Sequence, residues 1–151
     1  MAVTAYWYAR AFVSAFDEEI DYLADSIDSQ LHTSSYTPDQ DADDYHADLD
    51  NEVANANGYS TGGDTNHGSK TNANTANVIS FDHADPAWTS SGAGFTARIM
   101  VTLDSTPGSS ATNPLLWWMD FGQNETASGG GTFTVNMDAG GAATITVGDA
   151  P

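Results

Sequence analysis

The residues of this chain best suited to chemistry are its aspartates, and their spacing suggests a cation. Asp39, Asp41 and Asp43 place carboxylates at alternate positions, and Asp50 falls twelfth counting from Asp39. Calcium loops take oxygen ligands in that order. The sixth position, where such a loop needs glycine for its sharp turn, is Asp44, and the last carries Asp where Glu is the rule. The match is partial. Asp39, Asp41, Asp43 and Asp50 are the candidate metal ligands, acidic clusters can also collect cations non-specifically, and no other cofactor is implied.

A second constellation is Asp120 beside Trp117 and Trp118. Tryptophan next to a carboxylate can hold a sugar, and the same residues can equally pack a strand that ends in a turn at Gly122. Hydrolysis would need a second carboxylate across a cleft, and the sequence offers none that can be paired with Asp120. The histidines are His32, His46, His67 and His83, with no HExxH and no pair at i, i+4. A zinc enzyme is therefore not expected. His83, between Asp82 and Asp85, reads as a turn residue that bonds locally. Gly58-Tyr59-Ser60-Thr61-Gly62 has the Gly-x-Ser-x-Gly spacing but reads as turn chemistry, cysteine and a phosphate-binding loop are missing from the sequence, and no nucleophile, base and acid can be named together. The expectation is a protein without a catalytic step.

The elements that position these residues are mostly strands. Ala5, Ala9, Phe12, Phe16 and Ile20 recur at helical spacing, which predicts a helix over about residues 4–17, capped by Thr4. Tyr6, Trp7 and Tyr8 lie within it. Beyond it the chain reads as β-rich over about residues 26–148. Residues 26–33 form a polar and irregular strand, and 34–51 a loop with one helical turn near Tyr45 to Leu49. Residues 64–77 form an exposed hairpin or loop. Residues 78–81, 95–103 and 115–121 are strands, the middle one with Phe95, Ala97, Ile99, Val101 and Leu103 on one face. Two more strands, 132–137 and 143–147, flank the loop 138–141 as a hairpin. Short strands with Gly-rich turns and one terminal helix indicate a single mainly β domain, a β-sandwich or jelly-roll-like fold. Tyr6, Trp7, Tyr8, Trp88, Trp117 and Trp118 are its core or interface aromatics.

Charge bounds the surroundings. Asp and Glu number 21 against three Lys and Arg in 151 residues, for a net charge of −18. In dilute buffer such a surface repels itself, whereas in molar salt the Debye length of about 3 Å screens it. The composition predicts a protein of a high-salt environment. It also excludes nucleic acid as a partner, since phosphates need cations that the chain lacks. No apolar run approaches the roughly 20 residues of a membrane span. Residues 1–16 lack the basic start of a signal peptide, and Arg10 interrupts their apolar stretch.

Several short segments together resemble a known family. They are Ala5-Tyr6-Trp7-Tyr8-Ala9-Arg10-Ala11-Phe12, Thr33 to Asp41, Asn51-Glu52-Val53 and Gly58-Tyr59-Ser60-Thr61-Gly62-Gly63. The later part adds Trp88-Thr89-Ser90, Thr96-Ala97-Arg98, Asp104-Ser105-Thr106, Asp120-Phe121-Gly122 and Gly131 to Val135. The whole is similar to small structural proteins of tailed viruses, of the head decoration or turret kind. This chain is more acidic, and its residues 26–31 are more polar than the strand the family carries there. The resemblance implies a virion component on the capsid exterior of a haloarchaeal tailed virus. It would assemble with itself as a symmetric trimer or pentamer on the major capsid protein, and could meet the host cell surface. The alternative is a tail or receptor-binding module that recognises host glycans through Trp117, Trp118 and Asp120.

Overall fold

In the computed structural model, which describes residues 3–148, the chain runs β1 (Ala5–Trp7), α1 (Ala9–Phe16), β2 (Ile27–His32), β3 (Thr71–Thr75) and β4 (Val78–Asp82). It continues through β5 (Ala87–Thr89), β6 (Phe95–Asp104), β7 (Leu115–Ala127), β8 (Thr132–Thr134) and β9 (Ala143–Thr146). A turn of 3-10 helix, His46–Asp48, lies between β2 and β3, where one helical turn was expected. The strands pair antiparallel as a four-stranded sheet β1-β7-β6-β2, a three-stranded sheet β3-β4-β9 and a ribbon β5-β8. The result is the mainly β, sandwich-like domain that the turn chemistry implied. Its principal core packs Trp117, Met119 and Phe121 of the large sheet against Trp88 of the ribbon and Ala143 and Phe81 of the smaller sheet.

The long strand β6 does not keep one apolar face. Phe95, Ala97 and Met100 enter the principal core, whereas Ile99, Val101 and Leu103 enter a second one with Tyr8, Tyr36 and Leu115. The phase reverses at Arg98. There the register with β7 slips, since Ala97 faces Glu125 while Ile99 faces Asp120. Gly122, at φ 79°, takes the left-handed turn that lets β7 bulge at this point. At this irregularity β6 changes face while β7 keeps Trp117, Met119, Phe121 and Ala127 in the principal core, so β6 is apolar on both sides of the large sheet. The expected single face over 95–103 is corrected accordingly.

The N-terminal helix is shorter than its periodicity indicates. Residues 5–7 are a strand, Tyr8 is the N-cap without a side-chain bond, and only Ala9–Phe16 is helical. Three consecutive aromatics favour an extended chain against a neighbour, and β7 supplies one, with Tyr6 opposite Trp118 and Trp7 opposite Trp117. The helix buries Ala11 and Ser14, and Phe16 is 87% exposed. Thr4 therefore caps nothing, and Ala5, Ala9, Phe12, Phe16 and Ile20 do not form one buried face.

The polar segment near residue 30 is a strand all the same, buried along its whole length. Each polar side chain of β2 makes at least one hydrogen bond, which offsets its burial, although Gln30 Oε1 and His32 Nε2 are buried without a partner. Asp28 accepts from Asn66 N at 2.7 Å, Ser29 Oγ meets Thr102 Oγ1 and His67 Nε2, Gln30 meets His46, and His32 Nδ1 bonds Asp50 O at 2.7 Å. The outer edge of β2 is covered by bridges to Glu52 and Asp64. The 132–147 hairpin is not formed. The residues flanking 138–141 part company, β8 joining β5 and β9 joining β4.

Candidate functional site

Strand alternation decides the fate of the N-terminal aromatics, because successive side chains leave a strand on opposite faces. Trp7 turns inward. Its ring stands edge-on to Trp117 at 4.9 Å and Phe81 at 5.1 Å, and its Nε1 donates to Thr144 O at 3.0 Å. Tyr6 turns outward and stacks on Trp118, with ring centroids 4.7 Å apart and 26° between planes. Tyr8 is fully buried in the second core, where its hydroxyl meets Tyr36 Oη at 2.8 Å, and Tyr36 donates to Asp43 Oδ2 at 2.8 Å. Burial holds both phenols protonated, well above their ordinary range.

Trp117 and Trp88 are core residues, 0% and 5% exposed. The sugar-binding trio of Trp117, Trp118 and Asp120 is therefore not assembled on one surface. What reaches the surface is Trp118, half-buried, with Tyr6 on its ring. Beside it Asp120 and Arg98 form a two-pronged ion pair, Arg98 Nε to Oδ1 and Nη2 to Oδ2, the latter at 3.0 Å. The Arg98 guanidinium holds the Asp120 carboxyl below its ordinary range. Two hollows of about 410 and 370 Å³ open on either side of Trp118 and Asp120. One includes Thr4 and Tyr6, the other Ser34, Thr37 and Arg98. The sequence reading passed over Arg98 as a partner of Asp120. Its signal was there, a lone cation on the strand preceding the only acid among aromatics, but the pairing needed the register.

The calcium-like run takes another course. Asp39 Oδ1 accepts from Asp41 N and Ala42 N, and Asp43 Oδ2 accepts from Asp39 N and Tyr36 Oη. These carboxylates cap the loop's own main chain, as Asx turns do. Asp50 is exposed and is held through its carbonyl by His32. Among the described residues no three His, Asp or Glu side chains gather where they could jointly hold a metal ion.

The titratable pair that sequence reading missed is His67 with His83, both 4% exposed and stacked at 4.3 Å. His83 lies parallel to Trp117 at 6.0 Å, and its Nδ1 bonds Ala84 O at 2.8 Å, the local bond expected of a turn residue. His67 Nε2 lies 2.9 Å from Ser29 Oγ. A serine and a histidine in contact invite a nucleophilic reading. Yet Ser29 is wholly buried, and among the described residues no carboxylate hydrogen bond orients His67. Burial pushes His67 down to about 3 and lowers His83 as well, which suits a neutral packing element.

Comparison with known proteins finds no matching family model, no matching curated protein and no matching solved structure. Among the described residues no helix is long and apolar enough to cross a membrane.

Proposed function

We propose that the chain is a non-enzymatic structural and docking domain, a decoration or turret protein on the capsid of a tailed virus adapted to brine. The observation that carries the docking part is the Tyr6–Trp118 stack flanked by the Arg98–Asp120 pair. Aromatic rings and arginine are the side chains that dominate contact energy at protein interfaces, and here they share one face. The Asp39–Asp43 loop is engaged in capping its own main chain, and His67 and His83 are packed in the interior. A symmetric oligomer on the major capsid protein, trimer or pentamer, would present that face to the shell. The acidic surface supports a high-salt setting. Imaging of purified particles tests the reading. Density on the head that is lost in a Trp118→Ala particle is the expected result, and density confined to the tail tip overturns it.

A second reading, a host-glycan module, draws on the hydroxyls of Thr4, Ser34 and Thr37 in the hollows beside Trp118. It predicts that host surface glycans change the tryptophan fluorescence of the wild type and leave Trp118→Ala unchanged. No response in the wild type removes it.

A further inference from the structure

The five residues of β3 are all exposed, and β3 forms the outer edge of its sheet with β4 on one side only. Among the described residues no other main chain bonds that edge. Such edges invite strand addition, and proteins usually blunt them with charge, proline, a bulge or a covering loop. None of these devices is present in Thr71-Asn72-Ala73-Asn74-Thr75. Lys70, the one nearby cation, is turned away and donates to Asp25 O. By contrast, bridges to Glu52 and Asp64 close the edge of β2.

The segment is also a palindrome, Thr-Asn-Ala-Asn-Thr. Ala76 and Asn77 have φ of 49° and 65°, the two-residue turn of a tight hairpin, with Thr75 opposite Val78. In such a hairpin the pair flanking the turn exchanges hydrogen bonds, and bonded and non-bonded pairs then alternate. Thr75, Ala73 and Thr71 therefore bond to β4, which leaves the N–H and C=O of Asn72 and Asn74 facing outward. We infer that β3 is a self-association edge, pairing antiparallel with β3 of a second copy about a two-fold axis at Ala73. That register sets Asn72 opposite Asn74 of the other copy, twice over, and all four outward main-chain groups of each copy are satisfied. It sets Thr71 opposite Thr75, a favourable cross-strand pair, and Ala73 opposite itself. Residues 65–81 carry no acid, so the pairing strands set no carboxylate against another, the nearest acids being Asp82 on the inner strand opposite Thr71 and Glu18 and Asp21, which share a hollow with Asn72. The two small sheets become one of six strands, an isologous contact that does not depend on the virion reading.

The chain has no cysteine, which makes the register testable by single substitutions in brine that keeps the protein folded. Ala73→Cys places two thiols across a non-bonded pair, with Cα atoms about 4.5 Å apart, inside the range of a disulfide. Thr71→Cys places them four residue rises, about 14 Å, apart along the strands. Mild oxidation should cross-link Ala73→Cys into a dimer at least tenfold more completely than Thr71→Cys. Light scattering of the wild type should show the mass rising with concentration to twice 15.9 kDa. Asn74→Pro removes an outward N–H and should return the chain to monomer with its circular dichroism intact. The Asn72→Lys, Asn74→Lys double variant, which sets Lys against Lys, should do the same if the proline variant misfolds. Equal cross-linking at both positions, a wild type that stays monomeric at about 1 mM, or a folded double variant that still dimerises overturns the inference.

Discussion

His67 and His83 lie face to face in the interior, their rings 4.3 Å apart and 9° from parallel, with the indole of Trp117 parallel beyond His83. Charge on either ring would be buried against the other. Desolvation lowers both, and His83 and Lys70 further disfavour a proton on His67. Asp64, Asp82 and Asp85 partly offset burial at His83.

Acid should therefore unfold this protein early. A histidine held near 3 when folded and near 6.5 when unfolded contributes stability that is complete above 6.5 and is lost as pH falls toward 3. For His67 the loss is about 2 kcal/mol by pH 5. Urea melts at constant salt should show wild-type stability dropping between pH 7 and 5. His67→Gln keeps a polar group for Ser29 and should show a shallower drop. Identical slopes would refute the assignment.

Gly62 and Gly63 are adjacent and both left-handed, yet they should respond unequally to alanine. A Cβ on Gly63 would stand 2.0 Å from the main-chain oxygen of Ser29, whereas one on Gly62 meets nothing within 4 Å. Gly62→Ala carries only the cost of positive φ, about 1 kcal/mol, while Gly63→Ala must also push β2 aside and should cost about 3 kcal/mol. Chemical denaturation of the two variants decides it. Equal costs would mean that the 58–63 turn is free to move off β2.

Tyr59 fastens the same turn. Its buried hydroxyl accepts from Leu31 N at 3.0 Å and donates to Glu52 Oε1 at 2.8 Å. Tyr59→Phe leaves the ring in place and strands an edge amide of β2, so a loss of about 1–3 kcal/mol is expected. Hydrogen exchange at Leu31 should quicken in the variant. An unchanged Leu31 amide would show that the hydroxyl bond does not protect it.

Thermal melts across salt address the charge. With −18 on the chain, the midpoint should rise by about 10 °C or more between 0.1 M and 3 M salt as repulsion is screened. A flat response would separate the acidity from any need for brine.

The parts of this fold that could be read from sequence were those carried by local signals. The strands expected at 78–81, 95–103 and 115–121 announced themselves by their apolar residues, alternating in the middle one, and the turn chemistry at 58–63 by its glycines. The reversal at Arg98 was hidden because Met100 and Val101 are both apolar, so either phase looks plausible. The 138–141 loop showed that the chain turns there and not whom the flanking strands join. The aromatic triplet misled because Ala5, Ala9 and Phe12 fit a helix, and only the register with Trp117 and Trp118 makes residues 5–7 a strand. The site divided likewise. Tyr6 and Trp118 were named as aromatics, but their stacking, and the approach of Arg98 to Asp120, exist only once strands are side by side. The same holds for His67 and His83, sixteen positions apart.

The small second core has a consequence for those carboxylates. Thirteen of the 21 acids lie between Asp17 and Glu52, and the middle of that stretch is pinned from beneath by Tyr8, Tyr36, Leu49 and the Asp43 bond. Instead of a loose brush of charge, the surrounding ions meet a moulded relief whose spacing is set by the sheet below. Ions gathered by that charge find the same landscape on every copy, fixed by the fold and not by the chance reach of a free chain.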